Sequence, residues 1–272
     1  RIPVSEFDNI YNMIKVLDLD KKKRIKGISG ERADILPSAL AAISAFVKYV
    51  GFEQIAISGC GLREGIMFNY AVPTTVEKPI SDVLNYSLQT LVRFYNCNPK
   101  HVEHVVGLSV QLFKQLRVLH KFPRQYLKIL KVVATLHDAG AAIKYYDYEK
   151  HTAYIIQNAN IYGLTSREMV MASFVAAVHK NDEFQMSEIA RYKEFVTEDD
   201  VDAIRKLGIM LRIAESLDRS MSGCVKGLNC DVLGDSVIMK TEVEGDASLE
   251  IKDALNAAND FRRIFRKNLE IL

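Results

Sequence analysis

The sequence predicts a mainly α protein, with an all-helical middle preceded by an α/β segment and followed by a small α+β end. Three observations carry that prediction. Between about residues 80 and 222 apolar residues recur at helical spacing, as in Val105, Leu108, Leu112 and Leu116. One convincing strand, Gln54-Ile55-Ala56-Ile57-Ser58, stands among helices in the first 72 residues. Beyond Gly227 the apolar period changes to two.

Composition narrows the function classes. The chain has 272 residues, 49% hydrophobic and 26% charged, ample for more than one buried core. A net charge of +2 excludes a polybasic tail, so no DNA partner is expected. The longest nearly apolar stretch, Ile35 to Val47, contains Pro37 and is too short to span a bilayer, so no membrane is expected either. The four cysteines form no CxxC pair and no disulfide framework, which places the chain in a reducing cytoplasm.

Taken in order, a helix follows Ser5, and the basic run Asp20-Lys21-Lys22-Lys23-Arg24 reads as a solvated loop. An Ala-rich helix runs from about Ala33 to Tyr49. After the strand, a turn with Gly59 and Gly61 leads through Arg63-Glu64-Gly65 into another helix. One strand cannot satisfy its own backbone, and no partner strand is legible before residue 225. Together with an opening on Arg1 rather than Met, this predicts missing N-terminal sequence. Pro73 and Pro79 bracket a linker. In the helical region Leu127, Leu130, Val133 and Ala134 mark one helix, and Ile204, Leu207, Leu211 and Ala214 the last long one. Thr165-Ser166-Arg167-Glu168 is a capping box. Strands are expected near 228–233, 236–243 and 247–252, with turns at Gly234-Asp235 and Gly245-Asp246, and a closing helix over about 254–269. The predicted domains are 1–78, 79–225 and 226–272.

Polar residues interrupt the apolar stripes of the helical region. His137-Asp138 ends one stripe, and His104 lies on the side of Leu108. His179 lines up with Ala172, Val175 and Ala176, and Asp218 continues the Ile204 stripe. His151 opens the segment His151-Thr152-Ala153-Tyr154. A carboxylate on a buried helix face is costly unless paired or bound to metal, and converging side chains are how helical bundles build metal sites. His101 and His120 fall outside the pattern and read as surface residues.

The order His104, His137-Asp138, His151, His179, Asp218 resembles the HD-domain metal-dependent phosphohydrolases. That resemblance implies six ligands for one or two divalent ions (Mn, Mg, Fe or Zn), with His137 and Asp138 at the catalytic centre and Asp138 as a bridge. Lys180, Arg212 and Arg219 are candidates to neutralise phosphate charge, against the plain alternative of surface cations.

Gly30-Glu31-Arg32-Ala33-Asp34 and Ile57-Ser58-Gly59-Cys60-Gly61-Leu62-Arg63-Glu64-Gly65, followed by these helices, resemble the exopolyphosphatase / guanosine pentaphosphate phosphatase family. The resemblance implies that residues 1–78 are the end of an actin-like (RNase-H-type) domain, 79–225 an HD-like helical domain and 226–272 a small α+β domain. It implies hydrolysis of phosphoanhydride bonds in inorganic polyphosphate or a phosphorylated guanosine nucleotide. The main active site would lie in the missing N-terminal actin-like domains, and the HD-like domain would add a metal-dependent phosphohydrolase site. The alternative is a non-catalytic module that binds polyphosphate or a nucleotide, or forms a homodimer, with a structural metal or none. Glu31, Arg32, Arg63 and Glu64 match the family motifs and read as a buried Arg–Glu lock on a turn.

Overall fold

The computed structural model describes residues 2–71, 82–180 and 189–272. The chain forms two compact units, Arg1–Glu77 and Lys78–Leu272.

In the first unit a two-residue strand β1 (Ile2–Pro3) runs straight into helix α1 (Val4–Val16). β1 pairs antiparallel with β2 (Gln54–Ile55), Ile2 opposite Ile55. The expected strand 54–58 is thus two residues long and has its partner inside this unit. Two residues ahead of a helix carry no periodicity from which a strand could be read. The basic run expected as a loop is a short helix, α2 (Leu19–Lys23), whose N-cap Asp18 accepts from the Lys21 N–H at 2.9 Å. Helix α3 (Leu36–Val50) ends at Gly51, whose left-handed φ of 78° is least strained in a residue without a side chain. It packs on α1 through Ser44, which donates to Asp8 Oδ1 at 3.0 Å. Helix α4 (Leu62–Ala71) closes the unit. The expected buried Arg–Glu lock does not form. Glu31, Arg32, Arg63 and Glu64 are exposed, and Glu64 instead accepts the Gly61 N–H at 2.7 Å, as a helix-capping carboxylate does. The linker bracketed by Pro73 and Pro79 lies outside the described residues.

The second unit is a bundle built from α5 (Val83–Phe94), α6 (Pro99–Gln115), α7 (Arg117–His120), α8 (Gln125–Leu136), α9 (Tyr148–Asn158), α10 (Ser166–Val178) and α11 (Glu198–Ser216). Beyond its polar first turn helix α10 is mostly apolar and buried on nearly every side, from Val170 to Val178, which makes it the central element. It packs against α8, α9 and α11, and α6 packs against α8 and α11. The Thr165 capping box that opens α10 is present as predicted. A second box opens α11, where the fully buried Asp200 accepts from the Thr197 N–H at 2.9 Å and from Arg167 and Tyr126.

After α11 the chain forms the antiparallel pair β3 (Val225–Leu233) and β4 (Ser236–Val243), with the expected turn at Gly234-Asp235. The next strand expected, 247–252, is instead helix α12 (Ser248–Leu255): Asp246 accepts from the Ser248 N–H at 3.0 Å and starts a helix rather than a hairpin. The expected closing helix is shorter, α13 (Ala258–Phe265), and the chain ends in β5 (Asn268–Ile271), parallel to β4. That pairing joins residues some 30 apart in sequence, where local pattern is silent. Residues 226–272 do not stand apart from the bundle. Val225, Leu228, Val237, Met239 and Phe261 share its core, and Gln111 of α6 accepts the Leu228 N–H at 2.9 Å.

Candidate metal centre and its cleft

Asn98 caps α6, accepting from the Lys100 N–H at 3.1 Å, and Pro99 fills the first position, where its missing N–H is not needed. This places His101 in the first turn, buried to 3% exposure. Helix α8 ends at His137, which caps it: its Nδ1 lies 2.8 Å from the free carbonyl of Ala134. A carbonyl can only accept, so Nδ1 carries the proton and Nε2 presents a lone pair. The same reasoning holds for His101, whose Nδ1 lies 2.7 Å from Asp218 Oδ2. The two Nε2 atoms face one another at 3.1 Å, and Asp138 Oδ2 completes a triangle at 3.5 Å from His101 and 3.4 Å from His137.

Three lone-pair donors thus converge, and within the described residues these three form the one group of acidic, imidazole or thiol ligands close enough to share an ion. Two donors held at roughly 2.1 Å from one ion, at 90–110° to each other, lie about 3.0–3.4 Å apart. The observed edges fit that spacing. Burial pushes the His137 pKa down, which keeps its ring neutral and its lone pair free; the Asp138 and Glu215 charges act the other way and do not prevail.

Behind the triangle, Asp218 is spent on the protein. Oδ2 receives His101, and Oδ1 receives the Gly223 N–H at 2.9 Å with His104 Nδ1 at 3.0 Å. Burial alone would push the Asp218 pKa up, but the hydrogen bond from His101 and the close His104 ring outweigh it and hold the carboxyl far below its usual range. His104 also bonds the Val225 carbonyl through Nε2 at 2.7 Å, while its Nδ1 meets Asp218 Oδ1 as an ion-pair contact without hydrogen-bond geometry. The Asp218 carboxylate pushes the His104 pKa up against the opposing effect of burial.

The turn that presents Asp138 is held by Thr152 of α9. Its hydroxyl donates to the His137 carbonyl at 2.8 Å and accepts from the Gly140 N–H at 3.0 Å. Gly140 is required here, since a Cβ at that position would fall 2.0 Å from the Tyr148 carbonyl oxygen.

A second polar cluster repeats the helix-end device. His179 caps α10 with Nδ1 2.6 Å from the Ala176 carbonyl, and its Nε2 faces Glu215 Oε2 at 3.3 Å. Glu215 Oε1 accepts from the Tyr148 hydroxyl at 2.7 Å and from Lys180, whose ammonium also lies 5.1 Å from the Tyr148 ring centre. Burial would raise the Glu215 pKa, but the facing His179 ring and the Lys180 ammonium hold it well below the usual value. Burial and the Glu215 charge push the Tyr148 pKa up, so the phenol stays neutral.

Both clusters border one cleft of about 460 Å³, lined by Tyr95, Asn96, Cys97, Asn98, His101, Asp138, Tyr145, Tyr148, Glu215, Arg219 and Met221 among others. Of the residues singled out from the sequence, His137 and Asp138 stand in the triangle. Asp218 and His104 stand behind it, and His179 and Lys180 stand in the second cluster. His151 joins neither cluster among the described residues. Arg219 lines the cleft, whereas Arg212 is turned to packing, with Nη1 2.7 Å from Asp260 Oδ2. His101 and His120, expected at the surface, are both buried; His120 bonds the Phe113 carbonyl at 2.7 Å and serves the fold. The sequence signals for His101 and Glu215 were there to find. His101 sits one turn before Val105, and Glu215 interrupts the same apolar stripe as Asp218.

A helical bundle whose helix ends deliver imidazoles and carboxylates to one cleft is a fold suited to phosphate chemistry on a divalent ion. Comparison with known proteins assigns it more closely. Residues 83–261 match the family model described as Ppx/GppA phosphatase, domain III, and residues 1–72 match that of the Ppx/GppA phosphatase family. The chain belongs to the Ppx/GppA phosphatase family. A guanosine-5'-triphosphate,3'-diphosphate pyrophosphatase of Aeromonas hydrophila subsp. hydrophila is 27% identical over 169 residues, covering 62% of this chain and 33% of that protein. Its namesake from Pseudoalteromonas translucida is 29% identical over 175 residues, covering 63% and 33%. The aligned region thus spans about a third of the length of these curated relatives. Among the described residues no helix is long and apolar enough to cross a membrane.

Proposed function

We propose that the second unit is a metal-dependent phosphohydrolase centre of the HD type, within a protein whose family acts on polyphosphate or guanosine pentaphosphate. The observation that carries this reading is the triangle of His101 Nε2, His137 Nε2 and Asp138 Oδ2 at 3.1–3.5 Å. In this reading His101 takes the ligand role that the resemblance to HD-domain phosphohydrolases assigned to His104. Two imidazoles and a carboxylate suit Mn²⁺, Fe²⁺ or Zn²⁺. When bound, such an ion supplies Lewis acidity toward a phosphoryl oxygen and makes water at the site more acidic.

The chain's own residues do the rest. Asp218 fixes the His101 tautomer and the Ala134 carbonyl fixes that of His137, as partners behind a metal ligand do. Arg219 brings a guanidinium to the cleft to meet phosphate oxygens. Tyr148, neutral and tethered to Glu215, offers a fixed phenol at the cleft wall. Residues 1–72 match the model of the same family, and we read them as part of an actin-like domain.

Metal analysis of protein purified without chelator tests this reading. About one divalent ion per chain is expected, and His101→Ala or His137→Ala should remove it. Phosphate release from a panel of nucleotides and linear polyphosphates should then follow the metal. Metal retained in both variants overturns the centre. Metal lost with no turnover in the parent protein leaves a binding module instead of an enzyme.

A further inference from the structure

The cleft beside the triangle has a lining poorly matched to a phosphate polymer. Among the described residues Arg219 is the one Lys or Arg on its wall. Lys180 stands nearby but is committed to Glu215. Asp138 and Glu215 add negative charge to the same wall. Each further phosphate of a linear chain would bring charge that the cleft has nothing to meet, and like charges in a confined site repel.

What the cleft offers in place of cations is aromatic surface. Tyr95, Tyr145 and Tyr148 line it with Met221, and Asn96 and Asn98 contribute amide edges. Tyr148 is held rigid through its hydroxyl, 2.7 Å from Glu215 Oε1. Tyr145 lies between Tyr148 and Tyr146, ring centres 6.2 and 6.0 Å away, and stays 66% exposed on the cleft lining, so much of its ring surface remains open to a planar ligand. The volume of about 460 Å³ falls within the roughly 300–1,000 Å³ of clefts that hold one compact organic molecule.

We propose that this cleft receives a phosphate ester whose alcohol carries a planar ring, a nucleoside monophosphate being the chemical class. Its phosphate lies toward the His101–His137–Asp138 triangle and Arg219, and its ring against Tyr145. The proposal rests on the metal-centre reading for the phosphate end only; recognition of the ring depends on Tyr145 and the amide edges.

Calorimetric titration of the whole chain tests it, with adenosine and guanosine monophosphates, inorganic phosphate and tripolyphosphate as probes, each with and without Mn²⁺. A nucleoside monophosphate should bind more tightly than phosphate or tripolyphosphate. Tyr145→Ala should weaken it about tenfold while leaving phosphate unchanged, the loss expected for one stacked base. Arg219→Ala should weaken every phosphate probe. Tripolyphosphate binding as tightly as the nucleotide, no nucleotide binding, or indifference to Tyr145→Ala each overturns the proposal. Ring preference without Mn²⁺ binding overturns only the metal centre, and Mn²⁺ binding without ring preference overturns only the ring site.

Discussion

His101 and His137 turn their Nε2 atoms toward each other at 3.1 Å, each having committed its other nitrogen to an oxygen acceptor. Facing lone pairs, with a carboxylate oxygen 3.4–3.5 Å away, are tolerable only around a positive charge. A proton and a divalent cation therefore compete for one place.

Metal should stabilise the fold by mass action. At free Mn²⁺ or Zn²⁺ a hundredfold above Kd the gain is about 2.7 kcal/mol. Thermal unfolding with and without metal should show an upward shift in the parent protein and none in His137→Ala. His151→Ala should respond as the parent does, because His151 is outside the triangle.

Asp218 acts through His101 and not on the metal itself. Asp218→Asn should weaken metal affinity about 10–100-fold without abolishing binding, the usual effect of losing a partner behind a ligand. Asp138→Asn removes a ligand and should cost more. If the two variants had equal affinities, the distinction between them would be wrong.

The Thr152 hydroxyl should matter through geometry. Thr152→Val leaves the Gly140 N–H and the His137 carbonyl buried without their partner, a cost of about 2–3 kcal/mol in denaturant unfolding. Thr152→Ser should recover most of it. Gly140→Ala should be worse than either, because the added carbon meets backbone at 2.0 Å and cannot be relieved by rotating a side chain.

His104 gives a pH signature. Its folded pKa is raised above the ordinary 6.5, first by the Asp218 carboxylate, which faces its Nδ1 and favours the protonated ring. A raised pKa means that the folded state favours the protonated ring. Its contribution is therefore complete below about pH 6.5 and fades as pH rises through the folded pKa. The loss of melting temperature in His104→Leu should be larger at pH 6 than at pH 9. A difference that grew with pH would contradict the assignment.

Asp200 is a stability residue remote from the cleft. It caps α11 and receives Arg167 and the Tyr126 hydroxyl while fully buried. Arg167 is 40% exposed and can return to water, so Asp200→Asn should cost about 2 kcal/mol and not the larger penalty of a fully buried pair. Chemical denaturation measures this, and metal affinity should be unchanged.

Several features were readable from the sequence because their causes are local. The helical bundle follows from apolar period, the Thr165 box from side chains three residues apart, and the β3–β4 hairpin from alternation around Gly234-Asp235. His137-Asp138 is legible too, since its two residues are adjacent and end a stripe. Tertiary structure decided the rest. The helical period cannot separate His101 from His104, one turn apart, and the packing of α11 against α6 made one a candidate ligand and set the other behind Asp218. It also paired Glu215 with His179, turned Arg212 to Asp260, and closed the small sheet with β5. Those outcomes depend on contacts between distant segments, and no local propensity encodes which distant partner a side chain will meet.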